Sequence, residues 1–368
     1  MRLLCTLLLG LFVAVGSAHA QASAVDAKEY QEVIDKAYRF LKSAQNPDGS
    51  IAPKLGGPGV ASLVIAGLLR NGKSVDDPVV KAALKYLEAS VQKDGGIYNK
   101  MFANYSTSVA IFALADANQN KQYDKIIATA TKFIKSLQFP DESGDMIDAK
   151  AGGVGYNGGP KDRPDLSNTH YFVEALLASG ASKDDPAIQQ ALKFIGRCQN
   201  LPGESNPLPF AKKASDDDKG GFTYAPTAGP DSDAQTPAGG LRSAGSMTYA
   251  GLKSFLYAGV SKDDPRVKAA VDWVRRHYTL DENPGQGKGG LYYYYQLFAK
   301  ALDALGEDPF TDAKGQKHAW RAELFAKLKS LQQKDGSWVN SDRRYGESTP
   351  ELATAYALLA LAYVRPKN

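Results

Sequence analysis

The feature that most restricts the fold of this chain is a segment that recurs six times. The copies are "AYRFLKSAQNPDGSI" from Ala37, "ALKYLEASVQKDGGI" from Ala83, "ATKFIKSLQ" from Ala130, "ALKFIGRCQ" from Ala191, "AVDWVRRHY" from Ala270 and "LFAKLKSLQQKDGSW" from Leu324. In each, an aromatic or aliphatic pair shortly precedes a glutamine: Gln45, Gln92, Gln138, Gln199 and Gln332, with Tyr278 substituting in the fifth copy. A Gly-Gly or Gly-Ser and an apolar residue follow, as Gly49-Ser50-Ile51, Gly95-Gly96-Ile97, Gly152-Gly153-Val154, Gly220-Gly221-Phe222, Gly289-Gly290-Leu291 and Gly336-Ser337-Trp338. Self-similarity of this kind marks a repeat architecture, in which no unit can bury its apolar face without its neighbours.

The segments between the glutamines read as two classes of helix. Asp76-Asp77-Pro78, Asp184-Asp185-Pro186 and Asp263-Asp264-Pro265 each offer an Asp cap with Pro in the first turn, opening an amphipathic helix. After each glycine pair comes a more apolar stretch, at 57–71, 104–117, 165–179, 243–258, 291–305 and 349–363. Helices apolar around most of their circumference are buried ones. Six hairpins of outer and inner helices predict an all-α chain, an (α/α)6 toroid with a central cavity. No linker divides it, so residues 27–365 read as a single domain.

Composition narrows the class of function. The chain has 368 residues, 43% hydrophobic and 23% charged, enough for a sizeable core. Its formal net charge is +4 without a long basic run, which points away from nucleic acid and acidic membrane surfaces. Arg2, the apolar run Leu3 to Val15 and the small-residue site Ser17-Ala18-His19-Ala20 predict a signal peptide over residues 1–20, with export to the periplasm or beyond. No later segment reads as a membrane span. Cleavage leaves Cys198 as the one cysteine, on an outer helix, where it reads as a buried structural thiol.

The repeat is stretched around the fourth glycine pair, at 200–219 and 225–240. These insertions read as a lid or a solvated acidic loop. Asp216, Asp217, Asp218, Asp231 and Asp233 lack the spacing of an EF-hand calcium site.

A Gln followed by Gly-x-aromatic after an outer helix resembles the QW repeat of the squalene and oxidosqualene cyclases, and the six-hairpin layout is similar to that of protein prenyltransferase β subunits. The resemblance spans nearly the whole mature chain. It implies a terpenoid cyclase-like toroid whose cavity receives an isoprenoid or other apolar ligand. It also implies motifs that this sequence does not carry. Class II cyclases protonate an alkene with an acid in Asp-x-Asp-Asp-Thr-Ala; in "DLSNTHYFVEAL" the positions of Asp165 and Thr169 match, but Ser167 and Asn168 stand where the proton donor and its neighbour would be, and neither can make that transfer. The prenyltransferase zinc positions fall on Gly289, Leu291 and Ala353, and His170, His277 and His318 lack metal-ligand spacing, so no cofactor is expected. The Gly-Cys-Gly-Glu-Gln of thioester domains is absent.

The candidate site is therefore the set of inner-helix starts: Tyr105, Asp165, His170, Met247, Tyr249, Tyr292, Tyr293, Tyr294, Tyr295, Glu351 and Tyr356. Of the four consecutive tyrosines only one or two can face a cavity. Asp165 and Glu351 are the candidate catalytic carboxylates, with His170 beside them, although Asp165 also suits a helix cap. Three functions fit: a cyclase-like protein acting on an isoprenoid through a replacement acid such as Asp165; a noncatalytic toroid binding a lipid or protein; and a glycan-active toroid using Asp165 and Glu351 as paired carboxylates.

Overall fold

A computed structural model describes residues 24–141, 148–158, 162–227 and 234–366; the predicted signal peptide, Asp231 and Asp233 lie outside them. Among the described residues twelve principal helices alternate. The outer ones are α1 (Ala27–Ala44), α3 (Pro78–Ala89), α5 (Asp124–Ser136), α7 (Pro186–Arg197), α9 (Pro265–Arg276) and α11 (Trp320–Leu331). The inner ones are α2 (Pro58–Arg70), α4 (Ala103–Asp116), α6 (Leu166–Ala178), α8 (Gly245–Tyr257), α10 (Leu291–Leu305) and α12 (Pro350–Leu361). Each inner helix packs on the next, and α12 returns to α2, so the ring closes.

Burial follows from the two patterns. In α2 every residue from Pro58 to Leu68 is buried, and in α12 every residue from Leu352 to Leu361. The outer helix α9 buries only Val267, Ala270, Trp273 and Val274, one face of its circumference. Asp77, Asp185 and Asp264 cap α3, α7 and α9 through their side chains, as the Asp-Pro pattern predicts.

Four of the repeat glutamines perform one task. Gln45 Nε2 donates to the carbonyls of Gly49 (3.2 Å) and of Val79 on the next outer helix (2.9 Å). Gln138 does the same to Gly152 and Ala187, Gln199 to Gly220 and Arg266, and Gln332 to Gly336 and Val33. The last pair joins the sixth hairpin to the first. The turn glycine is pressed onto the same helix: a Cβ on Gly152, whose φ is +78°, would lie 2.2 Å from the Gln190 carbonyl oxygen. Only glycine fits there. A threonine on the inner helix fixes the other end of the turn, since Thr107, Thr169, Thr248 and Thr354 accept from the amides of Ile97, Val154, Phe222 and Trp338.

Two copies depart from this scheme. Gln92 turns back to the carbonyls of Ser90 and Tyr98 and does not cross to α5; there Tyr98 stacks on Phe133 instead, with ring centroids 5.6 Å apart. In the fifth copy Gly290 is the cap of α10 rather than a turn glycine, contrary to the sequence expectation. Tyr278 there stacks on His318 of a small hairpin, β1 (Phe310–Thr311) with β2 (Lys317–His318), and donates to Glu323 of α11. An aromatic stack replaces the amide because the inserted hairpin occupies the space between outer helices.

Candidate functional site

The amino ends of the inner helices converge on a cavity of about 440 Å³. Its floor is aromatic because α4, α6, α10 and α12 each direct a tyrosine inward: Tyr105, Tyr171, Tyr293 and Tyr356. Tyr105 meets Tyr171 edge-on at 5.6 Å, Tyr293 meets Tyr356 at 5.6 Å, and the Tyr105 and Tyr356 hydroxyls lie 3.2 Å apart. The rim comes from connecting segments. Phe102, Tyr156, Tyr224 and Tyr345 add four more rings, the last three 38%, 44% and 51% exposed. Arg242, Arg344, Asn283 and Gln286 supply polar groups. Among the described residues no Asp or Glu lines this space.

Charge lies below the floor. Glu174 of α6 accepts from Lys253 of α8 (2.7 Å) and from Lys300 of α10 (2.7 Å), with Arg70 of α2 at 3.9 Å. Arg70 in turn binds Asp116 of α4 at 2.7 Å. Burial alone would raise the Glu174 carboxyl, but Lys253, Lys300 and Arg70 together hold it well below the usual range. Burial drives Lys300 down to about 7 against the pull of Glu174. Removing one member of such a buried group costs roughly 3–5 kcal/mol, since its partners stay behind uncompensated.

His170 joins the two layers. Its Nδ1 lies 3.0 Å from Lys253 Nζ and its Nε2 lies 2.6 Å from the Tyr293 hydroxyl, which is 3.1 Å from Ser167 Oγ. Burial, then the neighbouring Lys253 ammonium, keeps the imidazole well below its ordinary pKa.

Of the residues expected from sequence, Tyr105, Met247, Tyr293 and Tyr356 line the cavity. Tyr293 alone of its run does so, because successive helical residues turn by about 100°. Tyr292 is buried with its hydroxyl on the Val339 carbonyl, Tyr294 and Tyr295 bond to the carbonyls of Thr279 and Leu280, and Tyr249 packs between Tyr294 and Phe298. Neither Tyr292 nor Tyr249 reaches the cavity. His170 is buried one layer beneath it.

The two candidate carboxylates also sit elsewhere. Asp165 caps α6, accepting from the Asn168 amide at 2.8 Å and from the Asn168 side chain at 2.8 Å. It is 2% exposed, and burial pushes its carboxyl up to about 7. Glu351, in the first turn of α12, is half-buried outside the lining. The buried acid on that side is Glu347, which accepts from the amides of Tyr292 (3.2 Å) and Tyr293 (2.7 Å) and so caps α10. In the acidic insertion, Asp216 pairs with Lys219, and Asp218 accepts from the Ser243 amide, tying the loop down.

One signal for the deeper cluster was present in the sequence. Glu174 and Lys253 are single charges inside otherwise apolar inner helices, Lys300 is one of two in its own, and a charge in such a setting demands a partner. The rim tyrosines carried no such signal, because they lie in irregular segments without periodicity.

Comparison with known proteins agrees with this architecture. The squalene-hopene cyclase C-terminal domain family matches residues 56–213. No curated protein matches the sequence. Among solved structures, the type II terpene cyclase MstE from Scytonema superposes with a TM-score of 0.56 at 12% identity, over 91% of this chain and 98% of that one. An α-1,6-mannanase from Salegentibacter sp. HEL1_6 gives 0.60 at 11% identity, over 92% and 100%. A polysaccharide lyase gives 0.54 at 12%, over 91% and 97%. At these identities the likeness is one of fold.

Proposed function

We propose that this α/α toroid, part of which matches the squalene-hopene cyclase C-terminal domain family, is an exported protein holding an elongated apolar ligand, of the isoprenoid kind, in its aromatic cavity. The observation that carries this reading is the lining: eight aromatic rings and, among the described residues, no carboxyl group. Aromatic walls bury large apolar area and bring directional ring contacts to a chain-like ligand. Protonation of an alkene needs a strong acid in contact with it, and Asp165, the carboxyl at the position of the cyclase motif, is buried as a helix cap outside the cavity lining. The reading is therefore of binding without cyclisation. Among the described residues no helix is long and apolar enough to cross a membrane.

A glycan ligand is the second reading, favoured by the exposed rings of Tyr156, Tyr224 and Tyr345 at the rim, which suit stacking on sugar faces. Hydrolysis by an acid pair fits less well, because the buried Asp165 and the outlying Glu351 do not flank the cavity. Incubating the protein with polyprenyl phosphates and a glycan panel, followed by mass spectrometry, separates the readings. The apolar reading expects an unmodified lipid retained by the protein; release of reducing sugar that is lost in the Asp165→Asn, Glu351→Gln double variant would reject it in favour of the second.

A further inference from the structure

The hydrogen-bond chain beneath the cavity has a fixed direction. Lys253 Nζ is 1% exposed, bonded to the Glu174 carboxylate at 2.7 Å, and an ammonium has hydrogens but no lone pair. At 3.0 Å from His170 Nδ1 it can only donate, so Nδ1 is the bare nitrogen. A neutral imidazole then carries its proton on Nε2, which donates to the Tyr293 oxygen at 2.6 Å. The Tyr293 hydrogen must point onward, to Ser167 Oγ at 3.1 Å or to whatever occupies the cavity, and both residues line that space. Every hydrogen in the chain points from the axial cation toward the cavity.

The surrounding charge is mixed: two acids flank Tyr293 and Ser167, Asp165 at the start of α6 and Glu347 on the Tyr293 amide, while cations stand both below the floor and at the rim. Below the floor, the cations Arg70, Lys253 and Lys300 face the anions Glu174 and Asp116. At the rim stands Arg242; among the described residues its side chain makes no hydrogen bond or ion pair and no acid lines the cavity there.

We propose that Tyr293 and Ser167 form a donor site for an anionic oxygen, so that the cavity takes an apolar chain ending in a carboxylate or phosphate, with that end at the floor. This rests on the reading of the cavity as an apolar-chain site and adds the head group to it. A quaternary ammonium head, which an aromatic box alone would welcome, is disfavoured by the donors and cations behind the rings.

The test is calorimetric titration of the purified protein with four ligands of equal chain length, below their micelle-forming concentrations: decanoate, decyl phosphate, decanol and decyltrimethylammonium. At least one anion is expected to bind about tenfold more tightly than decanol, a difference of roughly 1.4 kcal/mol, and decyltrimethylammonium the most weakly. Whichever anion binds better identifies the head group. Tyr293→Phe removes one hydroxyl without changing the ring and should abolish the anion preference; because it also leaves the buried His170 Nε2 hydrogen without its acceptor, its melting temperature is expected to fall, and Ser167→Ala, which spares that bond, should weaken the preference with the melting temperature unchanged. Equal binding of anions and decanol overturns the donor site and leaves the apolar-chain reading standing. An anion preference that survives in both Tyr293→Phe and Ser167→Ala also overturns it, by moving the contact to the rim. Failure of all four ligands to bind overturns both readings.

Discussion

Asp165 shows how a residue can look catalytic in sequence and serve the fold in space. Its place at the start of the third inner helix suits both a reactive acid and an N-cap, and its bonds to Asn168 belong to the cap. Burial raises its pKa from the ordinary 3.8 to about 7. Between those values the folded chain holds a proton that the unfolded chain has released, so stability falls as pH rises through that window and the loss is complete above it. Asparagine caps about as well as aspartate and carries no charge to bury. Asp165→Asn should therefore leave the melting temperature nearly unchanged at pH 4 and raise it at pH 8, the difference approaching about 4 kcal/mol at most. Thermal melts of both proteins across pH 4 to 8 check this; a variant less stable than the parent at pH 8 would mean that the carboxylate is held by more than its cap.

At the scale of the element, the glutamines act as rivets between outer helices. Gln138 satisfies two carbonyls on different segments, so Gln138→Ala leaves both without that donor and should cost about 1–3 kcal/mol. Gln92 bonds only within its own turn, and Gln92→Ala should cost less than about 0.5 kcal/mol. Urea unfolding of the two variants tests the distinction, and equal losses would reject the rivet. Helix boundaries were legible in the sequence to within a few residues, because Asp-Pro caps and glycine turns punctuate the chain. The fifth copy was misread for a physical reason: Gly289-Gly290 has the local composition of a turn, while Tyr278 and a distant hairpin perform the turn's function. Thr169, which aligns with a cyclase motif, makes the same bond as Thr107, Thr248 and Thr354 and belongs to the repeat.

For the molecule as a whole, ring closure was readable because periodicity is a property of neighbours in sequence, and Gln332 reaches Val33 as six equal hairpins require. The site was readable only in part. Its floor comes from inner-helix starts, which repeat, and Tyr105, Tyr293 and Tyr356 were found there. Its rim comes from Phe102, Tyr156, Tyr224 and Tyr345, spread over more than half the chain and joined only by closure. The axial cluster likewise takes one charge each from α2, α4, α6, α8 and α10. Contacts of that kind appear when the ring is assembled and have no local signature. The fold is shared with cyclases and with glycan-active enzymes, so the lining decides between them.

The central claim is that the cavity holds an apolar chain without protonating it. Native mass spectrometry of the protein incubated with squalene, followed by extraction and gas chromatography of the bound fraction, tests this most directly. One squalene per chain, recovered unchanged and excluded when Tyr356→Trp fills the floor, is the predicted result; a cyclised hydrocarbon whose formation Asp165→Asn abolishes, or no bound squalene at all, would contradict it.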